Sequence, residues 1–205
     1  KAEVFYHYMD PKQMPMGPME TQAGEHVKGI EDYLTAAQYA QGTPHEDKVV
    51  EDILDQFPLL SRGNKFHAML ATSSIPEAIN YYRLFKERAP QMHVTALFDP
   101  NVDNSDGAIL KEDALKEIIG DYNELFDKDF IIPTWPKMKK DITARLSHKR
   151  PYLTVDQHRE ERIDLLIVVD QMLTGFDSKW VNTLYLDKII DYENIIQAFS
   201  RTNRL

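Results

Sequence analysis

Cysteine is absent from the 205 residues. That excludes a disulfide framework and any thiolate metal site, and it fits a reducing compartment. No apolar run approaches the roughly 20 residues needed to span a bilayer. The opening residues Lys1-Ala2-Glu3-Val4 form neither a signal sequence nor an initiator methionine start. The expectation is an intracellular, cytoplasmic chain cut from something longer. No Gly-x-x-x-x-Gly-Lys-Ser/Thr loop occurs, so the backbone cradle and lysine that bind nucleotide phosphates are missing. Nor does an Asp-Glu box follow a strand pattern to hold magnesium, and there is no convincing nuclease cluster. Asp99-x-Asn101-x-Asp103 begins like a calcium loop, but Asn104 stands where glycine is required and Leu110 where a bidentate glutamate is required. The seven histidines show no close ligand spacing, so no metal site is expected.

What is present is unevenly charged. The net charge is −9, which on average disfavours a polyanionic partner, because nonspecific affinity for nucleic acid comes from Lys and Arg. Residues 1–60 hold 11 acidic and 4 basic side chains, whereas residues 61–205 hold 22 and 20, so the longer part is nearly neutral. Its densest basic cluster is Lys137, Lys139, Lys140, Arg145, Lys149 and Arg150, opposed by Asp141. This reads as the solvated face of a surface helix, with a backbone-tracking patch as the alternative.

Residues 9–24 contain Pro11, Pro15, Gly17, Pro18 and Gly24 and read as an irregular linker. A short helix is expected near Ile30 to Ala40. Thr43-Pro44-His45-Glu46 has the form of a capping box, and Val49, Val50, Ile53, Leu54 and Phe57 recur at helical spacing until Pro58 is expected to stop the helix. Residues 1–60 are therefore read as a linker and helical connector. From residue 61 the pattern alternates short strands with amphipathic helices, as in parallel α/β folds. Strands are expected at Phe66 to Thr72, His93 to Phe98, Ile163 to Val169 and Thr183 to Leu186. Ser74-Ile75-Pro76-Glu77 opens a helix with Ile79, Tyr82, Phe85 and Ala89 on one face. A second carries Leu115, Ile118, Ile119, Tyr122, Leu125 and Phe126. Residues 127–160 are charged and irregular, read as another helix and a long connection. The uniformly apolar Ile163 to Val169 needs cover on both faces, which places it inside the sheet.

The most specific signals lie in the last third. An apolar strand leads into Asp170-Gln171-Met172-Leu173-Thr174-Gly175-Phe176-Asp177; Leu184-Tyr185-Leu186-Asp187-Lys188 follows, then Gln197-Ala198-Phe199-Ser200-Arg201-Thr202-Asn203-Arg204. Arg201 and Arg204 lie three apart, so on a helix both guanidinium groups face the same way. Each keeps its charge and donates several hydrogen bonds in fixed geometry, a pairing suited to phosphate. The strand followed by Gly-Phe-Asp, and the later Gln-x-x-x-Arg-x-x-Arg, resemble motifs V and VI of superfamily 2 helicases and translocases. More narrowly, Leu173 to Asp177, Leu184 to Lys188 and Gln197 to Arg204 resemble the R (motor) subunit of type I restriction enzymes. Lys65 to Ile79 sits where motif IV belongs. The chain departs from the wider pattern at Ser200, where many helicases have glycine, and at Val169, where several have threonine; it departs from the type I motor-subunit pattern at Ser178-Lys179, where Ala-Pro is commoner.

The resemblance implies that residues 61–205 are the C-terminal RecA-like lobe of a motor, an α/β fold with a mostly parallel sheet and flanking helices. It implies ATP and Mg2+ as cofactors of the full-length protein, double-stranded DNA as its track, and modification and specificity subunits as partners. Cleavage would belong to a nuclease domain elsewhere in a type I site-specific deoxyribonuclease, and this portion alone is expected to be inactive. Arg201 and Arg204 would be arginine fingers. Gly175, Asp177 and Gln197 would serve the nucleotide, and Thr174, Ser73 and Ser74 would contact nucleic acid. The alternatives are a lobe of another superfamily 2 helicase acting on DNA or RNA, or a non-catalytic binding domain with a motor-like fold.

Overall fold

The computed structural model describes residues 19–20, 26–27, 44–98, 108–169 and 178–187. The chain divides into two compact units, Lys1–His45 and Glu46–Leu205. In the first, β1 (Met19–Glu20) pairs antiparallel with β2 (His26–Val27). Part of the stretch read as irregular linker is therefore one arm of a small two-stranded sheet. The helix expected near residues 30 to 40 and the Thr43 cap lie outside the described residues.

Helix α1 (Pro44–Leu60) buries Val50, Ile53 and Phe57 in the main core. Pro58 does not end it, because a proline in the last turn removes only one amide donor and the neighbouring residues still close the turn. The Ser61 amide donates to the Phe57 carbonyl at 2.8 Å and the Gly63 amide to Pro58 at 3.2 Å. The stop comes at Arg62, Gly63 and Asn64, all with positive φ (51°, 65° and 68°). Asn64 is tied by its amide to the Ser61 hydroxyl at 3.1 Å.

The sheet comprises β3 (His67–Thr72), β4 (Val94–Leu97), β5 (Leu165–Val169) and β6 (Val181–Asp187). Their order is β4-β5-β3-β6, and every pairing is parallel. This is the α/β architecture expected above, consistent with a RecA-like fold. Strand β5 lies inside, and Leu165, Leu166, Ile167 and Val168 are at most 1 % exposed. Burial on both faces explains its unbroken apolar sequence, each side chain contributing about 1.5–3 kcal/mol.

Helix α2 (Ile75–Arg88) crosses between β3 and β4, and α3 (Ala108–Phe126) follows β4. The expected α2 stripe is buried: Ile79, Tyr82, Phe85 and, at the cap, Ala89. On α3, Leu115, Ile118, Ile119, Tyr122 and Phe126 are buried, but Leu125 is 38 % exposed. At about 100° per residue, Leu125 falls beside the stripe and not on it.

The long connection contains α4 (Trp135–Leu146), flanked by short 3-10 turns at Ile132–Thr134, Val155–Gln157 and Arg159–Glu161. Here one member of the basic cluster proves internal. Arg145 is 2 % exposed. Its guanidinium donates to Asp141 Oδ2 at 2.9 Å, the Glu161 carbonyl at 2.6 Å and the Tyr152 hydroxyl at 3.0 Å. It also stacks 3.9 Å from the Phe126 ring centre and 4.1 Å from that of Tyr152. A sequence run of like charges shows neither which side chain turns inward nor that distant rings and a carbonyl will receive it. Lys137, Lys139, Lys140, Lys149 and Arg150 remain exposed.

Candidate functional site

Parallel strands aim their carboxyl ends at one edge of the sheet, where open α/β folds place their ligands. On that edge β3 ends at Thr72, paired in register with Asp187 of β6, and the chain turns through Ser73 and Ser74 into α2. The Ser74 hydroxyl accepts the Glu77 amide at 3.3 Å, while a Glu77 carboxylate oxygen accepts the Ser73 amide at 2.7 Å. This is the reciprocal capping arrangement, with the glutamate reaching back to the residue before the cap. A side-chain carboxyl oxygen thus already occupies the acceptor position at the start of α2. A phosphate arriving there would meet the exposed Ser73 and its hydroxyl, since the Ser73 amide is engaged.

Beneath these serines lies a buried acidic group that the sequence motifs did not single out. Glu46 and Glu77 are each 4 % exposed, Asp187 is 6 % exposed and Tyr81 is fully buried. The Tyr81 hydroxyl donates to Asp187 Oδ2. Burial pushes the Glu77 carboxyl up from 4.5 to about 7, with the Asp187 charge adding to the rise and the Ser73 amide opposing it. Burial and the Asp187 charge likewise push the Tyr81 phenol well above its ordinary range. Only the capping pattern marked Glu77 in advance; its proximity to Asp187 is a tertiary fact.

The other residues singled out from the sequence, Thr174, Gly175, Asp177, Gln197, Arg201 and Arg204, lie outside the described residues. Ser73 and Ser74 are therefore the pair whose surroundings are seen. Val169, where several helicases have threonine, ends β5 half-buried. Among the described residues that end the four strands there is no Lys or Arg: Thr72, Ser73, Phe98, Val169 and Asp187 occupy those positions. That part of the edge does not fit a polyanionic nucleotide. Nor do the described residues contain a group of three or more His, Cys, Asp and Glu arranged to hold a metal ion. No described helix is long and apolar enough to cross a membrane.

Comparison with known proteins bears on the chain as a whole. The family model "Type I restriction enzyme subunit R domain 3" matches residues 64–205. The endonuclease subunit of type I restriction enzyme SauCOLORF180P from Staphylococcus aureus (strain COL) is 32% identical over 165 residues, covering 77% of this chain and 17% of the relative. The SsaAORF53P endonuclease subunit of Staphylococcus saprophyticus is 29% identical over 196 residues, covering 91% of this chain and 20% of the relative. The HindI endonuclease subunit of Haemophilus influenzae is 36% identical over 70 residues, covering 34% of this chain and 6% of the relative. The chain thus spans about a fifth or less of the length of these relatives. With the family model covering most of the chain and a parallel α/β sheet beneath it, this chain belongs to the type I restriction enzyme R subunit family, carrying its domain 3 over residues 64–205.

Proposed function

We propose that this chain is the second motor lobe of an ATP-driven translocase acting on double-stranded DNA within a type I restriction-modification enzyme. The observation that carries the reading is the family match over residues 64–205, which includes both the Ser73-Ser74 turn and the Gln197 to Arg204 segment. Modification and specificity subunits would be its partners, and the nuclease centre would lie elsewhere in the longer protein. Because the described strand ends carry no cation, the charge facing nucleotide phosphate is assigned to Arg201 and Arg204. Gln197, Gly175 and Asp177 would shape the nucleotide side of the lobe, and Thr174 with Ser73 and Ser74 the DNA side. ATP and Mg2+ would be held chiefly by the partner lobe, since this chain has neither the phosphate loop nor the Asp-Glu box.

The test is steady-state ATPase of the full-length protein with DNA present. Replacing Arg201 or Arg204 by Ala removes charge stabilisation that matters most in the phosphoryl-transfer transition state, so turnover is expected to fall by at least about 10²-fold. Nucleotide affinity should change less. Loss of a helix-end cation alone would cost only about 0.3–1 kcal/mol of stability and leave turnover per folded molecule nearly unchanged. Near-normal turnover by both variants would remove the arginine-finger assignment.

A further inference from the structure

The opposite, amino-terminal edge of the sheet carries a second concentration of charge that the motifs leave unused. Two segments far apart in sequence meet where β3 and β6 begin. The His67 amide donates to the Trp180 carbonyl at 2.8 Å, and the Phe66 and Trp180 rings lie 6.2 Å apart. Three exposed cations stand over this pair. The Arg62 guanidinium is 5.6 Å and the Lys65 ammonium 5.7 Å from the Phe66 centre, and the Lys179 ammonium is 5.4 Å from the Trp180 centre. None of the three meets a carboxylate among the described residues. Four other surface cations do: Arg83 with Glu117, Lys86 with Asp121, Arg88 with Asp47 and Lys116 with Glu112. The exposed α4 lysines Lys137 and Lys140 also meet no carboxylate among the described residues, but they have no ring beneath them there.

The platform is held rigidly. The His148 ring stacks on Trp180 at 3.9 Å with 7° between planes, and its Nε2 lies 2.9 Å from His67 Nε2. The Ser178 hydroxyl donates to the Leu146 carbonyl at 2.6 Å and accepts the Trp180 amide at 3.0 Å. Rings so placed hold the cations without the full entropy cost of ordering long side chains, and a ring face, unlike a carboxylate, does not neutralise the charge it holds. The Trp180 ring stacks on His148 and also carries Lys179, while the Phe66 ring carries Arg62 and Lys65. Cations that meet no described carboxylate and already sit on both rings suit a sugar-phosphate backbone better than unstacked bases, which would have to displace them to stack.

We propose that Arg62, Lys65 and Lys179 form a docking site for the phosphate backbone of duplex DNA on the amino-terminal edge of the sheet, separate from the Ser73-Ser74 turn. The choice of DNA as the polyanion rests on the reading above; the existence of the site rests on the geometry. At about 3.3 Å per residue, the six residues of β3 (His67–Thr72) set the two edges roughly 20 Å apart. That is about six base-pair steps, so the edges would engage different phosphates.

The experiment is fluorescence anisotropy of the 205-residue chain with a short labelled duplex of arbitrary sequence, titrated over a range of salt concentrations. The variant Arg62→Gln, Lys65→Gln, Lys179→Gln should bind at least about tenfold more weakly at low salt, and its salt slope should shrink by about 0.9 for each phosphate no longer neutralised. A melting curve on each variant confirms that it is folded. Lys137→Gln, Lys139→Gln, Lys140→Gln removes the same charge from α4 and should have the smaller effect. Equal weakening in both triple variants would mean net charge alone is at work and would overturn the proposal. So would undetectable binding by the unsubstituted chain at low salt, or displacement of the duplex by poly-glutamate of matched charge, which would mark the patch as a site for an acidic peptide. Separately, Ser73→Ala with Ser74→Ala reports on the motif reading. Weaker binding there with an unchanged edge variant sinks this proposal and leaves that reading standing, and the reverse pattern does the opposite.

Discussion

Replacing Glu77 by Gln should stabilise the protein at alkaline pH, although Glu77 caps a helix. In the folded state its carboxyl titrates at about 7 instead of 4.5, chiefly because it is buried and next because it faces Asp187. A carboxyl raised on folding contributes stability that is fully present below its unfolded value and lost as pH rises through its folded value. The window here runs from about pH 4.5 to about pH 7. At about 1.4 kcal/mol per pH unit, the ionised side chain costs the fold roughly 3–4 kcal/mol above that window. Glutamine matches the protonated acid in shape, and its amide oxygen can still accept the Ser73 amide that the carboxylate accepts at 2.7 Å. The capping contact is thereby preserved while the charge is removed. Urea denaturation of both proteins across about pH 4 to 8 should show stabilities that coincide in acid and diverge by roughly 3–4 kcal/mol in base, with the glutamine variant the more stable. Titration of other groups is common to both proteins and cancels in the difference. A Glu77→Gln variant that is less stable at about pH 8, or a gap that does not change with pH, would refute the reasoning.

Two further outcomes follow from the same accounting. Arg145→Ala should destabilise by about 3–5 kcal/mol in urea, because it takes the cation from the half-buried Asp141 carboxylate and leaves it only the Tyr122 and Tyr152 hydroxyls, and because it removes the packing on Phe126 and Tyr152. A loss below about 1 kcal/mol, as for an exposed cation, would contradict the buried role. Acid should destabilise the amino-terminal edge: burial holds His67 down at about 3 and His148 at about 4, so stability is lost as pH falls from about 6.5 through those values. Trp180 fluorescence followed from neutral to about pH 4 should report loss of the His148 stack, and a profile unchanged by His148→Phe would argue against it.

The strands and the amphipathic helices were legible because their cause is local and periodic. An uninterrupted apolar run such as Leu165–Val169 fits only a strand covered on both faces, and the stripe from Ile79 to Phe85 repeats at the helical period. The Ser74 cap was legible for the same reason, its partners lying within three residues. Family membership was also readable, from the spacing of short blocks near the end of the chain. What the residue order did not reveal depends on contacts between distant segments. Tyr81 and Asp187 are 106 residues apart, yet they share a hydrogen bond beneath Ser73. Arg145 sits in a run of lysines, and only the rings of Phe126 and Tyr152 together with the Glu161 carbonyl make its burial possible. Phe66 and Trp180 become neighbours because β3 pairs with β6, and a strand pairing closed over more than a hundred residues leaves no periodic mark in either segment. Periodicity records which face of an element is buried; the fold alone decides what that face, and each charge beside it, will meet.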